Sequence, residues 1–203
     1  MEAKSTFLKL KQSEREHRRD LILDAAVKLF AHKPFASIGM RDIARQAGIS
    51  AASIYRYFPS RDAILMEVLG QEIQDGKVKQ HQRLQKARLD LEDVALGMVD
   101  FFMDKESTLH LLAHFLLKDD IEAETLHKFQ DARDYYLNHF DHIMLQAGVS
   151  KSGVRLFSHA FFSSILGIIL VFHSQVGEER EERRRHLHRL ARFTAETFSN
   201  GLS

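Results

Sequence analysis

Cysteine is absent from the 203 residues of this chain. Disulfides, thiolate zinc fingers and cysteine nucleophiles are therefore excluded. Proline occurs only at Pro34 and Pro59, and never beyond residue 60. So long a proline-free stretch, without alternating runs of β-branched residues, predicts an all-α protein. The start, Met1 to Leu10, has neither the apolar run nor the small-residue cleavage site of a secretory signal. The most apolar segment, Ala160 to Phe172, is shorter than the roughly 20 residues that cross a bilayer. It reads as a buried core helix, and the sequence predicts a cytoplasmic protein with no membrane partner. A glycine-rich phosphate loop is missing as well.

Hydrophobic residues make up 44% of the chain and charged residues 28%, enough for a folded core. The formal net charge of +1 hides an asymmetry. Residues 1–62 hold twelve Lys and Arg against seven Asp and Glu, an excess of +5, and the remainder carries −4. A basic head on an acidic body points to an anionic partner for the head, with nucleic acid the first candidate.

Residues 1–12 lack periodicity and read as a flexible basic arm. From Ser13 a helix follows, with Ile22, Ala25, Ala26, Leu29 and Phe30 on one face. Lys33-Pro34 stops it. Gly39 can cap a second, short helix bearing Met40, Ile43, Ala44 and Ala47, which Gly48 ends. Ser50 caps a third, whose Ile54 and Phe58 face inward. Pro59 ends that one, and Ser60 caps a longer helix with Ile64, Leu65, Val68, Leu69 and Ile73. Two short abutting helices joined by a glycine turn form a helix-turn-helix. At 100° per residue, Ala52 and Arg56 point away from the third helix's buried side, flanked by Ser53 and Tyr55. Small residues with a single arginine suit close approach to a groove better than the Glu and Lys pairs of a solvated face.

The pattern Arg18, Ile22-Leu23, Ala25-Ala26, Leu29-Phe30, Met40-Arg41-Asp42-Ile43-Ala44, Ala47-Gly48-Ile49-Ser50, Ile54-Tyr55-Arg56-Tyr57-Phe58 and Arg61 resembles the DNA-binding domain of the tetracycline-repressor (TetR) family. The resemblance covers roughly residues 14–65, with departures near Pro34 and at Ile38-Gly39, Ala52 and Arg61. It implies that residues 13–60 form a helix-turn-helix domain and residues 61–203 a helical ligand-binding and dimerisation domain. The implied partners are double-stranded DNA, a small-molecule effector and a second copy of the chain. The implied DNA contacts are Arg41, Ser50, Ala51, Ala52, Ser53, Tyr55, Arg56, Tyr57 and Arg61. Arg41 would read a base, while Ser53, Tyr57 and Arg61 would anchor phosphates. Taken together, these features predict a transcriptional regulator, a repressor released by a small apolar or aromatic ligand. The alternative is a helical metal- or small-molecule-binding protein without DNA activity.

In the second part, Asp75-Gly76 and the charged stretch to Asp90 suggest an interruption or connection. Asp90 and Asp93 can cap one helix and Ser107 another, Leu109 to Lys118. A long helix is predicted from about Asp120 to Ala147, closed by Gly148. Ser150 opens an apolar helix ending near Gly177, and a basic helix runs from Glu178 to Ser199. Eleven of the 15 phenylalanines lie beyond residue 63. Most must build a core, and a core that large can enclose a cavity. Phe102, Phe115, Phe140, Phe161 and Ile165 are candidates for its wall, and His110, His114, Tyr135 and His139 for its polar contacts. Ala160, Ser164, Gly167 and Val171 form a stripe of small residues suited to a partner helix. Leu187, Leu190, Phe193 and Phe198 on the last helix would complete a dimer interface.

Enzyme chemistry finds little support. Glu14-x-x-His17 and Glu124-x-x-His127 match the unit used by di-iron bundles, but the first lies in a solvated run of charge. His110 and His114 stand four apart and could chelate a metal, although the protease motif that needs a glutamate after the first histidine is absent. Ser150 lacks the closing glycine of a nucleophile elbow. No cofactor, resident metal or catalytic residue is assigned, and the chain is expected not to be an enzyme.

Overall fold

The computed structural model describes residues 2–30, 32–33, 37–84, 90–146, 148–173 and 179–201. Its described residues form nine helices and no strand: α1 (Glu2–Phe30), α2 (Met40–Gln46), α3 (Ala51–Ile54), α4 (Arg61–Leu84), α5 (Leu91–Asp104), α6 (Glu106–Leu117), α7 (Ala123–Gln146), α8 (Val154–Phe172) and α9 (Arg180–Asn200). Pro34, Gly177 and Glu178 lie outside the described residues.

Local chemistry sets many of these boundaries. Asp42 accepts a hydrogen bond from the Gly39 amide at 3.0 Å and so closes the start of α2. Gly48 ends α2 with φ +69°, and the next amide, Ile49, returns to the Ala44 carbonyl at 3.0 Å. Ser50 caps α3 through the Ser53 amide at 3.0 Å, and Ser60 caps α4 through the Ala63 amide at 3.1 Å. Asp90 does the same for α5 through Asp93, at 2.8 Å. Gly148, at φ +100°, follows α7.

Several expectations need correction. Residues 2–12, read as a flexible arm, continue α1. Unbranched Lys, Gln, Glu and Leu favour helix there, and the Gln12–Glu16 and Arg18–Glu14 side-chain bonds at i, i+4 extend that support. Asp75-Gly76 does not interrupt α4, which runs on to Leu84. Ser107 lies within α6 rather than capping it, because the helix already begins at Glu106. Ser150 does not open α8: residues 151–153 form a turn, and Gly153 stands at the helix start. With that start, α8 has 19 residues and is long and apolar enough to cross a membrane by length and composition. Length alone therefore does not exclude a span. One side of it is taken up by packing, since Phe161, Ile165, Leu166 and Ile169 are buried against α5, α7 and α9, while Leu156 and Val171 stay exposed.

Two cores result. The first joins Ile22, Ala26, Ile43, Ile54, Phe58, Ile64, Leu65 and Leu69 from α1–α4, and takes Leu111, Phe115 and Phe129 from α6 and α7. The second is built from α5, α7, α8 and α9 with Leu109 of α6. Thus the first turns of α4 pack within the head, although the sequence boundary at residue 60 leaves them outside it. Polar seams surround the second core. Asp141 of α7 accepts from Arg155 at 2.8 Å and from the Ser158 hydroxyl. The basic side of α9 meets α5, with Arg184 on Asp100 and Asp104 at 2.8 and 2.6 Å, and His188 on Asp100 at 2.9 Å.

The two parts are tied at Asp62, on the first turn of α4. His114 lies 3.0 Å from one carboxylate oxygen, and the Lys118 ammonium donates to the other at 2.5 Å. Burial pushes the Asp62 carboxyl up, but the bonds and charges of Lys118 and His114 outweigh burial and hold it below its ordinary value. A depressed folded value means that this joint contributes stability above the unfolded value of about 3.9 and loses it as pH falls through the folded one. Asp62→Asn is expected to cost about 1–3 kcal/mol at pH 7. In thermal melts from pH 7 to pH 3, the gap between variant and wild type should narrow below about pH 4. A gap that stays constant with pH would assign the loss to packing.

Candidate nucleic-acid interface

The reading corner is held from behind by Arg19 of α1. Its guanidinium donates to the Tyr57 carbonyl at 2.7 Å, pairs with Glu67 of α4, and lies 4.2 Å above the centre of the Phe58 ring. One side chain thus joins α1, the turn after α3, and α4. The sequence analysis missed it, because its partners lie 38 and 48 residues away. Ile54 and Phe58 are buried beneath it, as their spacing predicts.

The opposite side of α3 is open. Ala51, Ala52, Tyr55 and Arg56 are all exposed. Arg41, at the second residue of α2, is exposed too, and no hydrogen bond or ion pair engages it among the described residues. Its neighbour Arg45 is occupied by Asp42. The Asp42 carboxyl is held below its usual range, first by the Gly39 amide and then by the charges of Arg45 and Lys33. Arg41 and Arg56 are therefore positive charges on this face without an acidic partner among the described residues.

Other candidate contacts have internal work. The Ser50 and Ser53 hydroxyls lie 2.8 Å apart within the α3 cap. Arg61 donates to the Ile38 carbonyl at 2.9 Å and so steadies the strand of chain entering α2. The geometry makes it a positioning residue rather than a free phosphate anchor. Tyr57 is half-buried, with its side chain beside Arg18.

The proposed wall of the ligand cavity is divided. Phe102, Phe140, Phe161 and Ile165 are buried together in the second core. Phe115 does not join them; it stacks on Phe129 in the first core, with ring centres 5.4 Å apart. Tyr135 is exposed on α7, and the side chain of His139 lies outside the described residues. His114 belongs to the Asp62 joint, while His110 turns to His173 at 5.4 Å between ring centres. The suggested His110–His114 chelate is thereby split.

Along the supposed dimer face, Ala160, Val171 and Phe193 are exposed, and Ser164, Gly167 and Leu190 are half-buried. Leu187 is fully buried in its own chain and so is withdrawn from the interface, while Phe198, half-buried, packs edge-on against Phe157 and Phe161. Both di-iron-like pairs face solvent, with Glu14 bonded to Arg18 and Glu124 to Lys128.

Comparison with known proteins agrees with this geometry. Residues 22–68 match the family described as bacterial regulatory proteins, tetR family. An uncharacterized HTH-type transcriptional regulator of Mycobacterium tuberculosis is 58% identical over 45 residues, which are 22% of this chain and 22% of that protein. The first curated relatives are thus matched over only about a fifth of their length. The fold is shared more widely. A TetR-family transcriptional regulator of Mesorhizobium loti superposes with a TM-score of 0.65 at 18% identity, covering 90% of this chain and 97% of that one. The FadR regulator of Bacillus subtilis in complex with stearoyl-CoA gives 0.64 at 19% identity, covering 90% and 98%. Residues 22–68, set at the head of this all-helical fold, thus carry the segment that marks the tetR family of bacterial regulatory proteins.

Proposed function

We propose that the protein is a sequence-specific DNA-binding transcriptional regulator, a repressor that acts as a homodimer and leaves its operator when a small apolar molecule binds. The observation that carries this reading is the open face of α3 beside the unpaired Arg41, within the segment matching the tetR family. Residues 13–60 form the reading domain, braced by the first turns of α4, and residues 61–203 form the effector and dimerisation domain. The protein acts in the cytoplasm, where the chromosome is, and catalyses no reaction.

On this reading Ala51, Ala52, Tyr55 and Arg56 approach the major groove. Alanine offers only apolar contact, for example to a thymine methyl, so hydrogen-bonded readout falls to Arg41 and Arg56. Ser50, Ser53 and Tyr57 hold phosphates and set register. Phe102, Phe140, Phe161 and Ile165 bound the effector site, whose aliphatic and aromatic lining suits an acyl chain or aromatic ring better than a sugar. The acyl-CoA ligand of the structural neighbour from Bacillus subtilis supports that chemistry. Ala160, Ser164, Gly167, Val171, Leu190 and Phe193 meet their counterparts across a two-fold axis. The axis presents two reading heads to a palindromic site.

The direct test selects operator sequences from random duplex DNA, then measures affinity at two salt concentrations. Binding should weaken steeply with salt, and failure to select any sequence would remove the reading. Arg41→Ala should cost about 1–3 kcal/mol and relax preference at one base pair per half-site. Uniform weakening on all sequences would make Arg41 a phosphate contact instead.

Stearoyl-CoA should raise the salt-corrected dissociation constant for the operator, since an effector shifts the equilibrium only by its preference for the released state. No change at saturating acyl-CoA would exclude this ligand class. A Cβ at Gly167 meets nothing within 4 Å inside the chain, and the folded state of Gly167→Trp is checked by its helical circular dichroism. In analytical ultracentrifugation that substitution should convert dimer to folded monomer. A persisting dimer would move the interface off α8.

A further inference from the structure

Glu106 and His110 stand one helical turn apart on the same side of α6, and His173 arrives beside them from just beyond α8. One potential ligand atom from each lies within 4.8 Å of the other two. We propose that these three residues form a binding site for a borderline divalent cation of the zinc class.

The donor set fits that chemistry. Two imidazoles and one carboxylate are a recurrent three-ligand set for zinc, leaving a fourth position for water or an exogenous ligand. Ligands at about 2.0–2.1 Å from a tetrahedral zinc lie roughly 3.3 Å from one another. The three atoms lie within 4.8 Å of one another, so binding draws them together by up to about 1.5 Å. Calcium and magnesium are disfavoured, because they take oxygen ligands in larger number.

The state of His173 supports the assignment independently. Its Nδ1 lies 3.2 Å from the Leu170 carbonyl, an acceptor that fixes the proton on Nδ1. His173 can then coordinate only through Nε2, in the outer-shell arrangement common to ligating histidines. The backbone at this point is itself anchored, since Arg183 donates to the His173 carbonyl at 2.8 Å. Neither Glu106 nor His110 has a hydrogen-bond or ion-pair partner among the described residues, and the contact to be rearranged is the edge-on packing of the His110 and His173 rings. Apart from Arg183 on the His173 backbone, three cationic side chains of the neighbouring segments are engaged elsewhere. Arg180 and Arg184 end on Asp104, and Lys105 lies 2.7 Å from Glu72. Exposure of Glu106 and His110 leaves the site open to ions from solution.

A cation held here would fasten the start of α6 to the end of α8. That strap forms or fails regardless of any DNA activity, so its test uses the tag-free full chain alone. Zinc should be titrated in competition with a chromophoric chelator, and thermal melts recorded with and without one equivalent. The expected result is one tight equivalent per chain and a raised melting temperature. Affinity should fall at least about tenfold in His110→Ala, His173→Ala and Glu106→Gln, and remain unchanged in His127→Ala on exposed α7. Unaltered melting of the metal-free variants would show that they fold. With 12 histidines in the chain, adventitious binding is the competing outcome. The assignment is overturned if no stoichiometric equivalent binds, or if His110→Ala and His173→Ala retain wild-type affinity.

Discussion

The head of this protein depends on one guanidinium. Arg19 satisfies the Tyr57 carbonyl, pairs with Glu67 and covers the Phe58 ring. A carbonyl left unpaired at the end of the short reading helix would bear a desolvation cost of about 1–3 kcal/mol. Arg suits this position better than Lys because its planar fork can serve two acceptors and lie on a ring together. With α3 only four residues long, hydrogen bonds within that helix cannot hold its orientation. The orientation comes from buried Ile54 and Phe58 below and from Arg19 behind.

The charge asymmetry acquires a structural meaning at this point. On the reading face, Asp42 neutralises Arg45, while Arg41 and Arg56 stay open. In the body, by contrast, Arg180, Arg184 and Arg192 of α9 pair with acids of α5, the last with Glu92 at 2.9 Å. The positive potential is thus concentrated where an anionic duplex would meet it, and spent on internal pairing elsewhere.

What the sequence disclosed was chiefly local. Ser50, Ser60 and Asp90 cap helices within three residues of themselves, and Gly48 and Gly148 end others through their own backbone conformation. Such signals need no tertiary partner. The face of α3 was legible for the same reason, since Ile54 and Phe58 define its buried side. The errors involve either weak periodicity or distant partners. Residues 2–12 lack an apolar stripe yet continue a helix sustained by side-chain pairs. Leu187 sits on an apolar stripe whose partner, inside the chain or outside it, periodicity cannot name. His114 finds Asp62 across 52 residues, and His173 meets His110 only after α7 and α8 have folded back.

The uninterrupted course of α4 has a mechanical consequence. Its 24 residues make a rod of about 36 Å. The rod's first turns lie inside the head core, with Asp62 clamped by α6. Because α-helices of this length bend little without proline or a bulge, a tilt introduced anywhere along the rod is delivered to the head nearly undiminished. A rotation of 5° about the midpoint would carry the first turn through about 1.6 Å, given the rise per residue. That distance is half the length of a hydrogen bond, enough to break a polar contact made by the head while leaving every helix of the protein intact.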